Sequence, residues 1–244
     1  MEIEFIDTKL LTQGRLEVNI VRAASPLLFW VQLKNSEKDL QEMEEELAFR
    51  MVRRAQHLHC FPDTFYNNMN VAIRDFNSWH RGLVKRIDRT TQMVQIILGD
   101  WARIIWRPMN EVFILEDRFR ELQWQAIPCG LAYTTPVQNT SVWQTETRHL
   151  CRILIEGHKG WMNIVHPFRK NAALVKLHAY AKYNNTGYNL RDTLIRLGHA
   201  KLHDKISADV APNMQGSLPP SFPSPFGSRH NRRDLDHYAY STID

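Results

Sequence analysis

Residues 71–84 read VAIRDFNSWHRGLV and residues 94–108 read VQIILGDWARIIWRP. Together they hold four short runs of β-branched and aromatic residues separated by turn residues. Residues 71–76 form the first run, ended by Asn77-Ser78, and residues 79–87 the second, ended by the polar residues 88–91. Residues 93–98 form the third; Gly99-Asp100 then turns the chain into a fourth at 103–106. Strands of roughly five or six residues with tight turns predict a small, strongly bent barrel.

The regions on either side have a different rhythm. Residues 16–21, LEVNIV, alternate apolar and polar, which predicts a half-buried strand. Ser25-Pro26 breaks it, and residues 27–33, LLFWVQL, read as a second strand. A helix follows, with Ser36 placed to cap it and Asp39 as a capping-box partner. Leu40, Met43, Leu47 and Met51 mark its apolar stripe. The acids Glu37, Asp39, Glu42, Glu44, Glu45 and Glu46 crowd its first half and read as a solvated face, while Arg50, Arg53 and Arg54 suit the negative end of its dipole.

Beyond the four-strand unit, residues 126–132 read as a buried strand. Residues 141–156 read as a helix with Val142, Leu150, Ile153 and Leu154 in the core and Gly157 as its stop. Residues 161–165 and 173–180 read as strands, with YNNTG at 183–187 as turn chemistry. Asn189 caps a last helix at 190–197, ended by Gly198. The two early strands alone would leave open edges, and pairing them with the late strands across the insertion would close a second barrel. From residue 204 on, prolines at 212, 219, 220, 223 and 225 lie among Ser and Gly, which predicts a disordered tail whose Arg229, Arg232 and Arg233 read as solvated rather than as a weak docking point.

The formal charge of +5 over 244 residues is a mild basic excess that favours acidic partners or RNA. Cys60, Cys129 and Cys151 are odd in number and far apart, so they read as reduced thiols rather than disulfides or a zinc site. The acidic start has no apolar core of a signal peptide, and the stretch 20–33 is too short to span a bilayer and is interrupted by Arg22. Neither a membrane nor a cofactor is therefore expected. Phosphodiester cleavage would need acids, a base and arginines converging on one pocket. The candidate outer strands and helices offer Glu17, Arg22, Arg152 and Lys176 but no acid cluster, and no histidines have zinc-binding spacing, so no catalytic residues and no metal are expected.

This order and wording resemble the extended Tudor domains of germline Tudor-family proteins of the piRNA pathway. SPLLFWVQL (25–33) with the acidic helix resembles the entry strand and linker helix. Trp79-His80-Arg81 stands where the family's first Tudor hairpin has Trp-Tyr-Arg, and Asp100-Trp101-Ala102-Arg103 where it has Asp-Tyr-Gly-Asn. QAIPCGLAYTTP (125–136) and GYNLRDTLIRLGHAKL (187–202) resemble the return into the nuclease-like part and its closing helix. The resemblance implies a mainly β fold with flanking helices (α+β): a small Tudor barrel inserted into a nuclease-like barrel of the oligonucleotide-binding type. Its parts would be an N-terminal extension (1–15), the first part of the outer barrel with the linker helix (16–69), the Tudor core (70–108), the second part of the outer barrel (109–203) and the tail (204–244).

It also implies a non-catalytic adaptor that holds an arginine-rich tail of a Piwi-class Argonaute, or of another germ-granule protein, in perinuclear cytoplasmic granules. The family's cage of aromatics plus an Asn for dimethylarginine maps here onto Arg74 or Phe76, His80, Leu98, Trp101 and Arg103. That set is degenerate. Trp101 is a good cation–π wall, His80 a poor one, Leu98 has no quadrupole, and Arg74 and Arg103 would repel an arginine. Selection of methylarginine is therefore not expected. Trp79 and Trp106 read chiefly as barrel core. The alternatives are RNA binding through Arg81, Lys85, Arg86 and Arg89 with neighbouring aromatics, or a self-associating scaffold.

Overall fold

The computed structural model describes residues 2–138, 142–168, 170–181 and 186–203. The expected tail and most of the 183–187 turn lie outside the described residues. The chain begins with a strand pair, β1 (Leu16–Ser25) and β2 (Leu28–Leu33), and then the helix α1 (Glu37–Arg54). Five strands follow: β3 (Asn70–Asp75), β4 (Ser78–Asp88), β5 (Met93–Leu98), β6 (Arg103–Pro108) and β7 (Val112–Ile114). The return comprises β8 (Ile127–Leu131), β9 (Thr134–Pro136), the helix α2 (Thr145–Ile155), β10 (Lys159–Phe168), β11 (Ala172–Tyr180), β12 (Gly187–Asn189), the helix α3 (Leu190–Arg196) and β13 (Ala200–Leu202).

The outer strands form one sheet in the order β10-β1-β2-β8-β11-β12, and β10 also pairs with β11, which closes a five-membered ring. Every pairing in it is antiparallel except β8 with β11. Val18, Ile20, Phe29, Val31, Cys129, Met162 and Val175 are among the side chains that fill it. Helix α2 presents Thr147, Cys151 and Ile155 as its buried positions. Val142 and Ile153, expected in the core, are exposed at 68% and 59%. The helix starts at Thr145 rather than 141, and its inward stripe is rotated by about half a turn from Ile153.

The inserted sheet has the order β6-β5-β4-β3-β7 around a core that includes Val71, Ile73, Val84, Val94, Ile96, Leu98 and Val112. It has five strands, not four. Strand β7 is three residues long and reaches β3 after a 3-10 turn at Met109–Glu111, so it has no readable periodicity, and the sheet runs past residue 108. Helix α1 lays Leu47 and Met51 on the outside of this sheet, against Ala72, Ile97, Leu115, Phe119 and Trp124.

Ser36 is the N-cap residue but makes no capping bond, because the chain enters through a 3-10 turn and its backbone (φ −98°, ψ 1°) is not extended. Asn189 does cap α3, accepting from the Asp192 N–H at 3.2 Å, and Gly157 and Gly198 adopt φ +76° and +75° beyond α2 and α3. The N-terminal extension is woven in: Ile3 is buried, Phe5 bridges Trp124, and the Thr8 hydroxyl donates to the Ala172 carbonyl at 2.9 Å.

Candidate functional site

The two barrels meet at the turn after β5. Gly99 and Asp100 start the turn within the buried interior, Trp101 and Ala102 round the corner, and β6 begins at Arg103. Three contacts fasten this corner to the outer barrel. The Gln32 amide donates to the Asp100 carbonyl at 2.6 Å, the Arg22 guanidinium to the Ala102 carbonyl at 3.0 Å, and Ala102 packs with Trp30 and Ala126. Ala102 sits at φ +52°, where an L side chain costs about 1–2 kcal/mol. Glycine there is expected to raise stability by about 0.5–1 kcal/mol after the unfolded-state entropy is counted, read as a higher urea midpoint.

Beneath the corner is the pair Arg81–Asp100, with side chains 0% and 2% exposed. Arg81 donates through Nε and Nη2 to the two Asp100 oxygens at 3.0 and 2.7 Å, and through Nη1 to the Phe119 and Leu122 carbonyls at 2.8 and 2.6 Å. Asp100 Oδ1 also accepts the Gln125 N–H at 3.0 Å. The sequence reading placed Arg81 in an accessible cationic run. In the fold it is an internal brace, because α1 and residues 119–124 cover the hairpin face that carries it.

At the mouth of the inserted barrel, Trp101 is partly buried and its indole N–H donates to Glu44 Oε1 at 2.8 Å. The His80 Nδ1–H donates to the same oxygen at 2.9 Å. The two rings meet edge to face, with centroids 6.0 Å apart. Glu44 comes from α1, so one acid of the run read as a solvated face is drawn into the site, its side chain 21% exposed. Glu46, two residues further on, pairs with Arg118.

Leu98 is fully buried in the barrel core and presents no surface to a ligand in this conformation. Arg103 lies 2.7 Å from Asp75, and Arg107 reaches the same carboxylate, which is 2% exposed. This trio ties β6 to β3 where no strand pairing joins them. Part of the repulsion expected from Arg103 is therefore answered internally. Its guanidinium also lies 5.5 Å over the ring of Phe76, which stands 75% exposed at the hairpin tip with φ +51°. Arg74 is exposed on β3. The fold thus gathers Glu44, His80 and Trp101 in one cluster and Asp75, Phe76, Arg103 and Arg107 in another. Sequence reasoning missed Glu44 and Asp75; an acid facing an aromatic position across a linker helix leaves no local pattern. Trp79 packs edge to face on Phe113 at 5.3 Å, while Trp106 is 37% exposed and is not core.

The charged residues of the outer part are engaged separately. Glu17 pairs with Lys34 at 2.8 Å, Arg152 with Glu156 at 3.4 Å, and Lys176 lies over Tyr133. Among the described residues no group of three or more His, Cys, Asp or Glu is placed to hold a metal ion, and no helix is long and apolar enough to cross a membrane. The three cysteines are buried and unpaired as thiols. Burial pushes Cys60 up to about 11 and Cys151 up to about 12, the latter helped by the Glu156 charge.

A small five-stranded barrel, inserted in a larger one and joined to it by a helix and a buried arginine–aspartate brace, defines an extended Tudor architecture. The family model described as Tudor domain matches residues 12–133, and the chain belongs to that family. No curated protein matches it in sequence. Among solved structures, the extended Tudor domain of Drosophila melanogaster Papi superposes with a TM-score of 0.68 at 22% identity, covering 78% of this chain and 100% of that one. The extended Tudor domain TD3 of mouse TDRD1, in complex with a MILI peptide containing dimethylarginine, gives 0.67 at 18% identity, covering 83% and 97%. Papi with a point substitution, in complex with an unmethylated Piwi N-terminal peptide, gives 0.66 at 20% identity, covering 78% and 100%.

Proposed function

We propose that this protein is a non-catalytic adaptor that binds an extended, arginine-rich segment at the mouth of the inserted barrel without selecting methylarginine. The N-terminal tail of a Piwi-class Argonaute, or of another protein of perinuclear germ granules, is the partner class. The observation that carries this reading is the composition of the mouth. Trp101 offers one aromatic wall, Leu98 is sealed in the core, and a carboxylate occupies the space beside His80. A methyl group added to a guanidinium is favoured by aromatic faces on several sides, and here it meets one. The structural neighbours support the partner class, since one holds a MILI peptide containing dimethylarginine and another an unmethylated Piwi N-terminal peptide. The RNA reading loses support from the hairpin run, because Arg81 is buried and committed to Asp100.

The test is a calorimetric titration with paired Piwi-type tail peptides, one unmodified and one symmetrically dimethylated. Both are expected to bind within about threefold of each other, a difference below 1 kcal/mol. Strong preference for the methylated peptide would mean that a working cage exists. Binding of neither would remove the peptide reading and leave RNA or self-association to be tested by salt-dependent RNA titration and by the solution mass.

A further inference from the structure

We infer that Glu44 is the counter-ion for the ligand's arginine, so that the site reads positive charge rather than methylation; this rests on the peptide reading above. Glu44 Oε1 accepts from both the Trp101 indole and the His80 ring, at 2.8 and 2.9 Å, which uses the lone pairs of that oxygen. Among the described residues, Oε2 has no hydrogen-bond partner, and the side chain keeps 21% of its exposure. The carboxylate is thus held in place by two donors on one oxygen, while the side chain stays partly open to solvent.

The other acids at this end of the barrel are committed: Asp75 to Arg103 and Arg107, and Asp100 to Arg81. A guanidinium laid against Trp101 meets an aromatic surface and an ionised acceptor together. Charge-assisted N–H···O bonds are roughly twice as strong as neutral ones. Dimethylation keeps the charge but replaces N–H donors with methyl groups, so it gains little here. Removing the charge is the damaging change.

The experiment uses the full chain and two short peptides, one carrying a single arginine among small residues and the other citrulline, its neutral isostere, at that place. The wild type is expected to bind the arginine peptide about tenfold more tightly or better, the size of one charged hydrogen bond. Glu44→Gln keeps an acceptor for the indole and removes the charge. It should weaken the arginine peptide until the ratio nears one, leaving the citrulline peptide unchanged. Glu44→Asp, which retains the charge, should keep part of the preference. The Trp101 indole N–H resonance reports whether each variant is folded.

An undiminished ratio in folded Glu44→Gln overturns the inference. Equal binding of both peptides by the wild type also overturns it, while leaving the peptide reading standing. Binding of neither peptide by the wild type removes both.

Discussion

Replacing Asp100 with alanine is expected to cost about 3–5 kcal/mol of stability, the range seen when one partner of a buried ion pair is removed. For a domain of this size that corresponds to a fall in Tm of roughly 6–20 °C. The large value follows from what remains. Arg81 is 0% exposed, keeps its charge at any attainable pH, and would have three carbonyls but no anion around it. The Gln125 N–H, which Asp100 Oδ1 accepts, would also lose its partner. A thermal melt of the single variant measures the cost. Replacing both residues with apolar ones of similar volume is the informative companion, because buried pairs are often exchanged for hydrophobic contacts without loss. A near-neutral double variant beside a severe single variant would mean that the pair fixes where segment 119–125 docks more than how tightly the fold holds together.

The brace also shows where reading the sequence stops. The period of two along residues 79–84 sorts side chains into two faces, and Arg81 falls on the face opposite the barrel core. On an isolated hairpin that face meets water, so an arginine there reads as solvated. Here α1 and residues 119–124 cover it, and no local pattern announces a cover made of segments so distant in sequence. Glu44 is the same case in reverse: one of six acids in a run, distinguished by a contact with His80 in another element. By contrast, the α1 stripe, the span of β5 and the α3 cap at Asn189 were legible, because each follows from spacing or from a residue's own backbone preference. The resemblance only proposes where a cage would fall, and the surroundings of those residues had to be seen in three dimensions. Leu98 is sealed, Arg103 is tied to Asp75, and an acid has entered from the linker helix.

Trp124→Ala is expected to destabilise by about 3–5 kcal/mol, the usual range for emptying a buried tryptophan site. Trp124 is 2% exposed and packs among Ile3, Leu47, Met51, Ile97 and Phe119, where the linker helix, the inserted sheet and the N-terminal segment converge. Its ring lies so close to Gly99 that a Cβ built there would fall 2.2 Å from ring atom Cε3, so the corner before Trp101 needs glycine for this approach. The Arg81 guanidinium lies 4.9 Å from the ring, and the Gln125 N–H bound by Asp100 is on the adjacent residue. The tryptophan and the ion pair therefore hold one joint. Their losses should overlap: in a double-mutant cycle, Trp124→Ala with Asp100→Ala should cost less than the two single changes added, by about 0.5–3 kcal/mol. Urea denaturation of the four proteins gives the coupling. Strict additivity would mean that the two act independently. Clear coupling would mean that the position of the Trp101 corner, and with it the geometry of the proposed peptide site, is set by one cooperative unit beneath it.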